Sequence, residues 1–232
     1  MLAMLYAKAL DADAPNSILR DQHAKAAVAG IDYDWQATGI NAQAAPSVAV
    51  RSLHFDTWTR QFLAVHEHAT VLHLGCGLDA RVHRLDPPAG VRWYDIDYPE
   101  VIELRERLYP GRVGYRMVAA SVTDPSWLDE IPANNPALLL GEGLTPYLTR
   151  DDGLALLRRV VDRFPSANCS SMRSAHSGTA CHGSPIPSCA ARVRDCTGRS
   201  TGPPTSSMSF PRRVSWPGNH RSTATHPSGC HR

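Results

Sequence analysis

Gly75 and Gly77 stand on either side of Cys76, directly after the apolar run Val71-Leu72-His73-Leu74. About twenty residues on, Asp95 and Asp97 close a second run that begins Val91-Arg92-Trp93-Tyr94. A glycine after a strand lets the chain turn sharply, and a second lets backbone N–H groups come close to a ligand. An acid at that distance can accept hydrogen bonds from ribose hydroxyls. Together these residues can cradle a nucleotide cofactor. Gly75-Cys76-Gly77-Leu78-Asp79-Ala80 also fits the pattern G-x-G-x-x-A, so the loop alone does not separate NAD from S-adenosylmethionine. The plainer alternative is a strand-to-helix turn whose glycines only solve backbone geometry; the spacing of the acids weighs against it.

Glu142, between Gly141 and Gly143, ends a third apolar run, Leu138-Leu139-Leu140. An acid at the carboxyl end of a buried strand sits where ligands bind in open α/β sheets. Of the two acids on the second strand only one need face a ribose, and Asp95 is assigned a structural role. Tyr147 can bind substrate or simply pack. His66, His68, His73 and His83 surround the loop in sequence, but His73 lies inside a strand. The other three show no convergent acid or cysteine, so no metal site is expected. Cys76 reads as a small filler of the loop with no neighbour marking it as a nucleophile.

The elements that must position these residues alternate. Up to about Val50 the pattern is mostly helical, broken at Pro15-Asn16-Ser17, Gly30 and Gly39. Leu53, Trp58, Phe62 and Val65 recur at near-helical spacing and predict a helix from Arg51 to Val65. Strands are expected at about 70–74, 91–96, 114–118 and 137–141, with helical stretches near 99–109, 125–130 and 150–164. Such alternation implies an α/β fold, a Rossmann-like doubly wound parallel sheet with right-handed crossovers and a helical cap over about residues 1–65.

The 232 residues divide by composition near Pro165. Residues 1–165 carry 16 Lys and Arg against 21 Asp and Glu; residues 166–232 carry 8 Arg against the single acid Asp195. The second part has no Leu, Lys or Glu and holds five of the six cysteines, with no C-x-x-C pair. It has little apolar surface to offset its ordering entropy, so a disordered basic tail is expected. A frame-shifted translation product is the reading that composition favours over a native tail: moving the frame back one base converts the junctions Asn168-Cys169 and Asp195-Cys196 to Leu codons. On either reading the strand at 137–141 lacks an outer neighbour. No apolar stretch approaches membrane-spanning length and the start has no basic, signal-like region, so a cytoplasmic protein is expected.

Val71-Leu-His-Leu-Gly-Cys-Gly-Leu-Asp-Ala-Arg81, Trp93-Tyr-Asp-Ile-Asp-Tyr-Pro-Glu-Val101, Ala120-Ser-Val-Thr-Asp-Pro-Ser-Trp127 and Gly141-Glu-Gly-Leu-Thr-Pro-Tyr147 together resemble the leucine carboxyl methyltransferase family. The likeness is to its bacterial branch of tetracenomycin-type polyketide O-methyltransferases, and it runs from about Leu5 to Pro165. It implies a class I methyltransferase using S-adenosylmethionine, with Gly75, Cys76 and Gly77 near the methionine part and Asp97 on the ribose. Ser121 and Val122 would flank the adenine, Glu142 would face the cofactor, and Arg51 would pair with the methionine carboxylate. Arg51 also fits a solvated cation at a helix start, and Lys8 is a weaker candidate beside it. The implied acceptor is the oxygen, carboxyl or hydroxyl, of a small molecule such as a polyketide-like metabolite. An NAD-dependent oxidoreductase, an inactive truncated relative, and a basic-tailed module on nucleic acid are the rivals.

Overall fold

The computed structural model describes residues 1–172. The expectation of a disordered or frame-shifted tail lies, from residue 173 on, outside the described residues.

Leu2–Asp13 (α1) and Gln22–Ala29 (α2) form the cap, and Asp21 closes the start of α2 by accepting from the Ala24 N–H. A short 3-10 turn, Trp35–Thr38, leads toward Ala45–Val65 (α3). This helix begins well before Arg51, because Pro46 in its first turn has no N–H that the helix would need. The chain then alternates through Ala69–Leu74 (β1), Arg81–Leu85 (α4), Val91–Asp97 (β2), Pro99–Leu108 (α5) and Tyr115–Ala119 (β3). It continues through Ser126–Asp129 (α6), Ala137–Glu142 (β4), a 3-10 turn at Thr145–Tyr147, Arg150–Arg163 (α7) and Ala167–Met172 (β5). The four strands expected from the sequence agree with β1 to β4 to within a residue at either end.

The sheet order is β3-β2-β1-β4-β5 and every pairing is parallel. Alternate residues build opposite layers, as the period of two requires. Leu72, Leu74, Tyr94, Ile96 and Leu139 face α6 and α7, meeting Trp127, Leu156, Val160 and Phe164. Val71, Trp93, Leu138 and Leu140 face α3, meeting Phe55 and Phe62. Being covered on both sides, these strands read as unbroken apolar runs. A third cluster ties α1 and α2, through Leu2, Leu5, Ala24 and Ala27, to Leu78 and Ala80 of the glycine loop and to Tyr109.

The expected bare edge beside 137–141 is corrected by β5, which pairs with β4 from Ala137 opposite Ala167 to Glu142 opposite Met172. A strand ladder is made by backbone groups, which even a Leu-free segment supplies in full. Ala167 and Cys169 suffice to pack against the core on the side of α7. No helix among the described residues is long and apolar enough to cross a membrane.

Candidate cofactor site

The strand order reverses at β1, which has β2 on one side and β4 on the other. Ligands of open α/β sheets sit in the crevice beyond the carboxyl ends of the strands at such a point. Gly75 follows β1 with φ +60° and Gly77 follows with φ +53°, both in the region that disfavours side chains. A Cβ on Gly75 would also lie 3.1 Å from Leu144 Cδ1. Asp97 ends β2 and grips the loop: its Oδ2 accepts from the Gly77 N–H at 2.7 Å and its Oδ1 from the Tyr98 N–H at 2.8 Å. Burial pushes the Asp97 carboxyl up, and these two N–H donors hold it back in part. A carboxylate has about four acceptor positions, so two remain for hydroxyl donors.

Glu142 ends β4 and is surrounded by donors. Its Oε1 accepts from Arg51 Nε at 2.9 Å and Ser52 Oγ at 3.1 Å, and its Oε2 accepts from Arg81 Nη2 at 2.6 Å. Burial pushes the Glu142 carboxyl up, but the charges of Lys8 and Arg81 outweigh it and bring it to about 2. The sequence expectation gave Arg51 and Glu142 separate roles, one on the methionine carboxylate and one facing the cofactor; the fold joins them directly. The Arg51 side chain is 28% exposed against 0% for Arg81, so Arg51 is the partner that reaches the surface. Lys8, the weaker candidate, is buried with its Nζ 2.9 Å from Asp79 Oδ2.

Beneath the loop the ion pairs continue. Arg81 meets Asp79 at 3.1 Å and Asp56 at 2.8 Å, while Arg84 meets Asp56, Asp21 and Asp79. Burial raises the Asp79 carboxyl, and Arg81, Lys8 and Arg84 more than reverse that. On the β2 side Asp95 is fully buried and accepts from His73 Nδ1, Trp93 Nε1, Tyr115 Oη and Arg105. This matches the structural role expected for it. His73 Nε2 faces Arg81 Nη1 at 3.4 Å. Guanidinium can only donate, so these partners assign the imidazole proton to Nδ1.

The other sequence candidates fall in three kinds of place. Cys76 is buried in the loop and burial pushes its thiol well up, which keeps it unreactive. Ser121, after β3, is half-buried with its Oγ 2.8 Å from Thr123 Oγ1; Val122 packs in the core beside α6. Tyr147 is 63% exposed on its 3-10 turn. His83 departs from its exposed-looking segment: it lies half-buried against Tyr109 and Tyr115, and burial with His23 nearby lowers it to about 4. Sequence reasoning missed Asp56, Arg84 and Arg105 altogether. Asp56 and Arg84 are single charges in helical stretches of mixed polarity and Arg105 is one cation in a charged stretch, each of which reads by default as solvent-facing, so nothing local marks any of them as buried.

A glycine turn at the switch point of a parallel sheet, with acids ending β2 and β4, defines a Rossmann-like protein of the nucleotide-cofactor class. Residues 2–161 match the model of the leucine carboxyl methyltransferase family, and the chain belongs to that family. It is 49% identical over 166 residues to the tetracenomycin polyketide synthesis O-methyltransferase TcmP of Streptomyces glaucescens, a match covering 72% of this chain and 62% of that protein. It is 37% identical over 179 residues to the S-adenosyl-L-methionine-dependent methyltransferase dpfgK of Gibberella zeae, covering 71% of this chain and 60% of that one. The chain thus spans about three fifths of the length of these relatives.

Proposed function

We propose that this chain binds S-adenosylmethionine beyond the carboxyl ends of β1, β2 and β4 and transfers its methyl group to an oxygen of a small, polyketide-like molecule. The observation that carries the reading is the Asp97 carboxylate, fixed by the Gly77 N–H at 2.7 Å and the Tyr98 N–H at 2.8 Å with acceptor positions left over. Family membership and the S-adenosyl-L-methionine dependence of the Gibberella zeae relative support the choice of cofactor.

The residues fit such a group. Asp97 offers acceptors for vicinal ribose hydroxyls, and Gly75 and Gly77 supply the positive φ that the turn of the loop requires. Arg51 offers a planar fork for a carboxylate. Glu142, kept ionised by Arg81, offsets positive charge in the crevice. Ser121 and Val122, after β3, suit the edge of a flat base, and Tyr147, exposed beyond β4, suits an acceptor. When bound, S-adenosylmethionine supplies a methyl on an already activated sulfur. The protein's task is then to hold an acceptor oxygen in line with it, and proximity provides most of the acceleration.

Calorimetry with S-adenosylhomocysteine and NAD tests the reading. The demethylated product should bind better than NAD, and Asp97→Ala should weaken it by at least ~1 kcal/mol, the loss expected for hydrogen bonds to a charged group. NAD binding that Asp97→Ala leaves untouched would remove the methyltransferase assignment.

A further inference from the structure

Three consecutive carbonyls of the cofactor loop are held by one helix and its end. Arg105 Nη1, from α5, donates to the carbonyl oxygens of Gly77 at 2.8 Å and Asp79 at 2.9 Å. Between them, Tyr109 Oη donates to the Leu78 carbonyl at 2.7 Å, and the Arg105 guanidinium lies 5.2 Å from the Tyr109 ring centroid. Arg105 is fully buried, and its other terminal nitrogen, Nη2, is tied to Asp95 and to Tyr115 Oη.

We infer that Arg105 is a positioning residue for the cofactor loop: it fixes the peptide plane that follows Gly77 while Asp97 holds the plane that precedes it, so that the turn at Gly77 is set from both sides. The inference rests on the proposed binding of S-adenosylmethionine. Its physical ground is that Gly77, at φ +53°, carries little steric restraint of its own. The two peptide units that flank the Gly77 Cα can therefore rotate against each other unless both are held. Asp97 holds the first through the Gly77 N–H and Arg105 holds the second through the Gly77 carbonyl. A guanidinium suits the task because one planar group spans two carbonyls and a carboxylate at once; an ammonium is a single point and cannot. Asp95 holds the guanidinium and is itself held by His73, Trp93 and Tyr115, so the clamp has a rigid base.

Arg112 provides the control. It also donates to two backbone carbonyls, those of Val82 at 3.0 Å and Pro87 at 2.9 Å, but away from the loop. In the 232-residue chain, Arg105→Lys should weaken S-adenosylhomocysteine binding at least tenfold and speed amide exchange at residues 77–79. Arg112→Lys should lower the melting temperature without changing that affinity. If Arg105→Lys does not fold, Tyr109→Phe decides: a several-fold loss of affinity supports the clamp, and unchanged affinity overturns it. Wild-type affinity in a folded Arg105→Lys, alongside a loss in Asp97→Ala, overturns the clamp and leaves the functional reading standing. Failure of the wild-type chain to bind S-adenosylhomocysteine overturns both.

Discussion

Arg51 and Glu142 show how much a side chain's meaning depends on its partner. Separately they read as a cation for a carboxylate and an acid facing a ligand; in the fold they neutralise each other at 2.9 Å, with Arg81 as a second cation on the same acid. A ligand carboxylate at Arg51 would therefore compete with Glu142, and Arg81 would keep Glu142 charged when Arg51 turns away. Arg51→Lys should lower affinity for S-adenosylhomocysteine by a larger factor than it changes the melting temperature, because an ammonium cannot supply a two-point contact. Paired titrations and thermal melts of the variant check this; equal affinity would remove Arg51 from the site. Gly75 is the other position decided by single atoms. Gly75→Ala should cost ~1–2 kcal/mol from the left-handed backbone alone. The 3.1 Å approach to Leu144 Cδ1 adds to it, and chemical denaturation reads the sum.

At the scale of elements, ion pairs join the cap to the sheet. Asp56 of α3 accepts from Arg81 at the start of α4 and from Arg84 one turn on, and Arg84 reaches Asp21 at the cap of α2. These side chains are almost entirely out of water, so removing one partner leaves charge uncompensated. Asp56→Asn should destabilise the chain by ~3–5 kcal/mol, the loss typical of a broken buried pair. Urea unfolding measures it; a change under ~1 kcal/mol would mean that Asp79 and Glu142 fully compensate Arg81. β5 belongs to this scale as well. Its pairing gives β4 a neighbour on both sides, which removes the exposed apolar edge that the sequence alone implied.

For the molecule as a whole, the buried carboxylates set the response to acid. Asp95, raised by burial but lowered further by Arg105 and His73, lies at about 2, and Glu142 lies at about 2. Both are below ordinary carboxylates, so the stabilisation they give is complete above pH ~4–5 and is lost as pH falls toward 2. Asp95 alone should contribute about 2 kcal/mol. Asp97, raised by burial, acts in the opposite sense and offsets part of it. Melting temperatures should therefore fall steeply between pH 5 and 2 in the wild type, and less steeply in Asp95→Asn; parallel curves would exclude Asp95 from the effect. The sequence by itself determined the alternation of strands and helices, the glycine turn after β1 and the acids that end β2 and β4. Each of these is written locally, in apolar runs, in residues that tolerate positive φ, and in spacings along one chain segment. Only the tertiary structure decided that Arg51 meets Glu142, that Arg105 lies beneath the loop, and that a Leu-free segment adds a fifth strand beside β4. Those outcomes depend on contacts between residues up to 91 positions apart and on backbone hydrogen bonds, which no local pattern of side chains encodes.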